Sequence, residues 1–331
     1  LTAVEELTQK PMLRDEIREY LNPIYDLERL ISRISYQSAN PRDMVAFASS
    51  LAMIPFIRQI LGEFKAPILQ KIYEDMDSLE DIHQLLEDAI IEDPPLQIKE
   101  GGIIKDGFLE HIDELKHAKT DGKQWLAELE AREREASGIK NLKIKYNKVF
   151  GYYFDVTNSY KSLVPEHFIR KQTLANSERY TTEELDKLAD TILGSEDKLC
   201  ALEYETFCNI RETISNEIKR VQRTAHAVAE LDVMTSLAYV TEQNHYVRPA
   251  MNEEGRLAIR GGRHPVVEKM IPNDMFIRND TELDIQENRI SIITGPNMAG
   301  KSTYMRQTAL IVLMAQIGCY VPADQADIGI V

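Results

Sequence analysis

Residues Arg289–Thr303 read R-I-S-I-I-T-G-P-N-M-A-G-K-S-T, and this stretch decides the reading of the chain. A short apolar run of Ile290, Ile292 and Ile293 breaks directly into the pattern G-x-x-x-x-G-K-[ST], and Tyr304–Ile317 continues with helical spacing. Strand, glycine loop and helix in that order form the setting in which such a loop cradles phosphate. The run over 290–293 is therefore predicted to be a buried strand. Glycines at 295 and 300 let successive N–H groups turn toward phosphate oxygens at a helix N-terminus. Lys301 would reach the β- and γ-phosphates, and the Ser302 hydroxyl would ligate Mg²⁺. The candidate nucleotide contacts are Gly295, Pro296, Asn297, Met298, Ala299, Gly300, Lys301, Ser302 and Thr303, with Asn297 near the γ-phosphate or the attacking water.

Working outward, the chain has 331 residues, 43% of them apolar, enough for two or three domains with real cores. It begins with Leu1 and stops at Val331, soon after the loop, so both ends read as cut points in a longer protein. Cys200, Cys208 and Cys319 have no metal-ligand spacing and suit reduced thiols in cytoplasm. No apolar stretch approaches the eighteen or so residues of a membrane span, and no membrane partner is expected. The net charge of −15 argues against nucleic acid until one segment is read alone. From Ile139 to Tyr180 eight cations (Lys140, Lys143, Lys145, Lys148, Lys161, Arg170, Lys171, Arg179) face only Asp155, Glu166 and Glu178, a local balance of +5.

Leu1–Glu92 is helical in pattern and punctuated by prolines, with Asn40-Pro41 an N-cap followed by proline at the first helical position. A second helical run ends before Gly138. In the basic segment the period changes to two: Leu142, Ile144 and Tyr146, then Tyr152, Phe154 and Val156, read as two antiparallel strands. Leu185 to Leu237 then keeps helical spacing, about 80 Å if continuous, with Gly194 the obvious weak point. A helix out, a basic β module and a long helix back is the simplest arrangement. The bland alternative is a helical hairpin whose charged tip is merely solvated. Leu257–Arg260 and Ile328–Val331 are further strand candidates.

Several stretches coincide with one family. Thr294–Gln307, T-G-P-N-M-A-G-K-S-T-Y-M-R-Q, resembles the phosphate loop of the MutS family of DNA mismatch repair proteins, including Pro296-Asn297-Met298. G-G-R-H-P at 261–265 and Y-V-P-A at 320–323 match its flanking motifs, and N-P-R-D at 40–43 and A-E-L-D at 229–232 fit its core. G-Y-Y-F-D-V-T at 151–157 with R-K-Q-T-L-A-N-S-E-R-Y at 170–180 looks like its clamp. Ala299 stands where the family often has glycine. The resemblance implies a mostly α fold with a small β clamp module, long antiparallel lever helices, and an incomplete P-loop α/β ATPase domain at the C-terminus. Residues 1–115 would be helical core, 116–138 and 181–235 levers, 139–180 clamp, and 245–331 the start of the ATPase domain.

That likeness implies a mismatch-binding ATPase that couples ATP and Mg²⁺ to gripping duplex DNA through phosphates. The candidate DNA contacts are Lys143, Lys145, Arg170, Lys171 and Asn176. Phe276 falls where the family stacks an aromatic on adenine, and His264 reads as a loop-holding residue. A homodimer and downstream repair proteins are the implied partners. Catalysis also needs an acidic residue at a strand end, and Asp324 and Asp327 are not placed to supply it. The expectation is that this chain alone does not turn over ATP, and the alternative function is a non-catalytic DNA-binding or interaction module.

Overall fold

The computed structural model describes residues 1–147, 149, 151–271 and 275–331. Lys148 of the basic segment, and Pro272 with its neighbours Asn273 and Asp274, lie outside the described residues. The chain forms two compact units, one of residues 1–31, 49–80 and 217–331, the other of residues 32–48 and 81–216.

The first part of the chain is a series of short helices: α1 (Thr2–Gln9), α2 (Pro11–Leu21), α3 (Leu27–Ser35), α4 (Pro41–Leu51), α5 (Ile54–Leu61), α6 (Pro67–Asp75) and α7 (Glu80–Ala89). Pro11, Pro41, Pro55 and Pro67 each sit at the first or second helical position, where the missing N–H costs nothing and φ is already helical. The Asn40 carboxamide accepts from Asp43 N at 3.0 Å while the Asp43 carboxylate accepts from Asn40 N at 2.8 Å, a reciprocal cap on α4. The 21 residues Pro41–Leu61 have the length and composition of a membrane span, which corrects the sequence reading that no stretch approaches that length. Here they are two helices separated at Ala52–Met53, with Met44, Phe47, Leu51, Ile54, Ile57 and Leu61 buried in protein.

Later come α8 (Glu110–Ser137), β1 (Lys143–Asn147), β2 (Gly151–Thr157), β3 (Ile169–Thr173), β4 (Ser177–Thr181), α9 (Glu183–Asn216) and α10 (Ile218–Asn244). The chain closes with β5 (Ala250–Asn252), β6 (Leu257–Gly262), α11 (Val267–Met270), β7 (Asn279–Leu283), α12 (Lys301–Gln316) and β8 (Gln325–Gly329). In the first unit α1, α2, α5, α6 and α10 bury Val4, Leu7, Ile17, Ile57, Phe64, Leu69 and Leu231 together. Each such side chain contributes about 1.5–3 kcal/mol relative to exposure. The same unit holds a mixed sheet in the order β5-β8-β6-β7, packed through Ile259, Ala326 and Ile328 on Ile311 and Ala315 of α12.

In the second unit α8 and α9 lie antiparallel, and their contacts run nearly step for step: Lys119 with Glu196, Gly122 against Ile192, Arg132 with Glu184. An antiparallel sheet, β1-β2-β4-β3, closes one end, its inner face (Ile144, Phe154, Val156, Tyr180) packed with Phe168 on Leu126, Leu129, Leu185 and Ile192. The sequence pattern shows β1 and β2. It misses β3 and β4, whose R-K-Q and S-E-R lack apolar alternation. The predicted continuous helix from 185 to 237 is broken at Glu217, with φ −95° and ψ 14°. Gly194, the weak point expected from the sequence, stays helical inside α9.

Candidate nucleotide and nucleic-acid sites

The predicted buried strand at 290–293 is absent. Residues 284–300 have no regular secondary structure, and Ile290 and Ile292 are 82% and 85% exposed. A strand of this composition is stable only between hydrogen-bonded neighbours with both faces covered. The sheet β5-β8-β6-β7 offers it no place among the described residues.

The rest of the loop is shaped for an anion. Gly300 caps α12 in the left-handed region, φ 82°, with no side chain bonding the first-turn amides in its place. The helix therefore presents unsatisfied N–H groups and the positive end of its dipole. Lys301 Nζ bends back to donate to the carbonyls of Gly295 at 2.7 Å and Pro296 at 2.5 Å. Pro296, Asn297, Met298, Ala299 and Ser302 are exposed, Thr303 is half-buried on the first turn, and Met298 takes φ 66°. Phe276 is half-buried in the segment leading to β7.

The two flanking motifs are built into this frame. A Cβ on Gly261, which has φ 59°, would fall 2.0 Å from Asp324 Oδ2, and one on Gly262 would fall 2.7 Å from Gln307 Nε2 of α12. Only glycine lets β6 approach both so closely. Arg263 N donates to Pro322 O at 2.8 Å, and its guanidinium meets Glu268 at 2.8 Å. His264 is buried, and its Nδ1 accepts from Val266 N and Val267 N, both at 3.3 Å, so it holds the loop into α11. His264, Val266, Val267, Thr303, Arg306 and Leu310 line a cavity of about 420 Å³ beside the first turns of α12. Asp324 meets Arg278 at 2.5 Å, and Asp327 accepts from Asn252 at 2.7 Å, so both acids serve the sheet. No cluster of His, Cys, Asp or Glu suited to a metal occurs among the described residues.

The basic module separates the candidate cations. Register pairs Lys143 with Asp155 and Asp155 with Arg179, and Lys145 with Tyr153, which places these side chains on the outer face of the sheet. Lys145 meets Asp155 at 2.5 Å, a contact that raises its ammonium above the usual range. The Arg179 guanidinium lies 4.5 Å from the Tyr153 ring centre, a cation–π contact. Arg179 belongs to the basic segment but not to the five contacts expected from the sequence. Its alternation with buried Tyr180 is the signal that marks it as outward-facing.

Arg170 and Lys171 lie on β3, at the edge of the sheet. Glu178 is buried under the β3 edge, bonded by Lys161 at 2.7 Å, by the Tyr180 hydroxyl, and by Arg170 at 3.6 Å. Lys161 and the Tyr180 hydroxyl hold the Glu178 carboxyl below its ordinary range, while burial and that carboxylate push the Tyr180 hydroxyl up to about 12. Lys171 meets Asp186 of α9 at 2.8 Å. Asn176 is exposed in the turn between β3 and β4. Asp155 and Glu178 are already counted in the +5 balance, and Asp186 of α9 answers one further cation.

A glycine loop opening a helix against a small sheet, on a chain that also carries a helix-borne β module, defines a P-loop protein with an inserted arm. Comparison with known proteins makes this specific. Residues 107–198 match MutS family domain IV, and residues 291–331 match MutS domain V. The DNA mismatch repair protein MutS of Lachnoclostridium phytofermentans is 62% identical over 329 residues, covering 99% of this chain and 35% of that protein. Its counterpart in Caldicellulosiruptor saccharolyticus is 54% identical over 331 residues, covering 100% of the chain and 38% of that protein. The chain belongs to the MutS family, and it spans little more than a third of the length of these relatives, with domain IV and part of domain V.

Proposed function

We propose that this chain is the core, lever and clamp of a mismatch-repair ATPase together with the phosphate-binding part of its nucleotide domain. In this reading residues 1–115 are core, 116–138 and 181–235 levers, 139–180 the clamp and 245–331 the nucleotide domain. Gly295 to Thr303 hold the phosphates of ATP, Lys301 the β- and γ-oxygens, Ser302 the Mg²⁺ and Phe276 the adenine. The clamp grips duplex DNA by backbone phosphates, and the intact protein works as a cytoplasmic homodimer with downstream repair proteins.

The observation that carries the DNA reading is the outer sheet face bearing Lys143, Lys145 and Arg179 at one end of a helix pair 28 and 34 residues long. Such a face neutralises phosphates without reading bases, so binding should be sequence-independent and salt-sensitive. Of the five candidates, Lys143 and Asn176 suit that role as they stand, and Lys145 does so by exchanging Asp155 for a phosphate. Arg170 and Lys171 are better assigned to holding the module together, and Arg179 joins the contacts. Titrating a labelled duplex from low to physiological salt tests the proposal; an affinity indifferent to salt would reject it.

The second reading, a DNA-binding module without turnover, is favoured for the isolated chain by the 290–293 run, which is exposed rather than held as a strand beneath the phosphate loop. Steady-state ATP hydrolysis by the purified chain should stay at background. Turnover that disappears in Lys301→Ala would overturn this second reading.

A further inference from the structure

The segment between α7 and α8 carries a feature that the nucleotide and DNA sites leave unexplained. Gly101 and Gly102 both take left-handed backbone, φ 70° and 69°, and the N–H groups of Gly102, Ile103 and Ile104 converge on one carboxylate. That carboxylate belongs to Glu203 of α9, which is 0% exposed and accepts at 2.5, 3.3 and 3.3 Å. Among the described residues it forms no ion pair. Consecutive amides in such a turn make a concave anion site, and here the anion is supplied from a hundred residues away in sequence. The seat is close-fitting: a Cβ on Gly101 would fall 2.8 Å from Cys200 Sγ and 3.0 Å from Glu203 Oε2.

The opposite edge of the same strip is held by α8. Lys116 Nζ donates to Ile104 O at 2.7 Å and to Asp106 at 2.6 Å. Ile91 N donates to Ile103 O at 3.0 Å and Lys105 N to Ala89 O at 2.8 Å, which fasten the strip to the end of α7. One strip of backbone is therefore gripped by an anion on α9 and a cation on α8. Ile103 and Ile104 of the strip are fully buried, but α8 offers little apolar surface there, since from Glu110 to Asp121 only Ile112 is buried. The other end of the pair is secured by the core under the sheet.

We propose that this strip is a latch that fixes α8 and α9 in axial register at the end away from the β sheet, and that the Glu203 carboxylate holds it closed. The latch does not depend on the nucleotide or DNA reading. Buried charge-assisted hydrogen bonds to amides are strong when made and costly when one partner is removed, so opening should be local and large.

Hydrogen exchange read by mass spectrometry on the full chain tests this. In Glu203→Ala the amides of 102–104 and of 110–121 should exchange about tenfold faster or more, with 125–137 and the sheet unchanged. Formate, a free carboxylate small enough for the vacated seat, should restore slow exchange. Gly102→Ala should open the latch with Glu203 intact, since its added Cβ meets no atom within 4 Å and only the backbone conformation is opposed. Should Glu203→Ala fail to fold, Gly102→Ala decides alone. Unchanged exchange over 110–121, uniform acceleration across the whole unit, or no response to formate would each overturn the proposal.

Discussion

Lys143 and Lys171 are both lysines of the basic segment, yet they meet different surroundings. Lys143 stands on the outer sheet face, while Lys171 is committed to Asp186. Lys143→Ala should weaken duplex binding and lower the slope of log affinity against log salt by about 0.9, as loss of one phosphate contact requires. Lys171→Ala should leave that slope unchanged and cost about 1 kcal/mol or less, being an exposed pair. Fluorescence anisotropy over a salt series separates the two, and equal slopes for both variants would refute the division. At the phosphate loop, Lys301→Ala should weaken Mg-ATP binding about tenfold or more through loss of a charged donor. Equilibrium dialysis that finds equal affinity in the variant would remove Lys301 from the site. The loop can be read from sequence as a pattern because phosphate geometry dictates its glycines and lysine, whereas the strand expected before it does not form. Which lysine faces outward cannot be read in that way, because that depends on a register set by strands β3 and β4, which have no apolar alternation of their own.

At the scale of elements, a close approach in the α8–α9 pair and a buried acid in its sheet each carry a prediction. A Cβ on Gly122 would lie 2.5 Å from Ile192 Cγ1. Gly122→Val should therefore overpack the pair and destabilise it by about 1–3 kcal/mol, and Ile192→Ala in the same chain should relieve part of that cost. Urea unfolding tracked by the single tryptophan, Trp125 on α8, reports the unit that contains both positions. Glu178 gives the module a pH dependence. Its carboxyl is depressed in the folded state, so its contribution is present above the unfolded value of about 4.3 and fades as pH falls through the lower folded value. Lys161, Arg170 and the Tyr180 hydroxyl are the groups facing it, and the hydroxyl, pushed up to about 12, keeps its proton in that range. Acid titration should show a transition below about pH 4 that Glu178→Gln removes; an identical profile in the variant would argue against it. The stop of α8 at Gly138 could be read in advance, since a left-handed cap at φ 72° calls for glycine. The break at Glu217 could not, because the apolar spacing runs through it unaltered.

For the molecule as a whole, composition misled where local reading succeeded: an acidic average concealed the basic segment at 139–180, and the reading of apolar runs passed over Pro41–Leu61. The strand expected at 290–293 has the right residues but finds no strand to pair with among the described residues. The two antiparallel helices carry a constraint of another kind. Because their contacts advance in step from Lys119–Glu196 to Arg132–Glu184, the arm behaves as a ruler graduated on both edges. Inserting one residue into α8 after Gly122 would turn everything beyond it by about 100°, carrying Leu126 and Leu129 away from Leu185 and Ile192. The arm can thus change length only by whole repeats added to both helices together. Natural variation in its reach should come as paired insertions, and single-residue gaps should be confined to the loops at its ends.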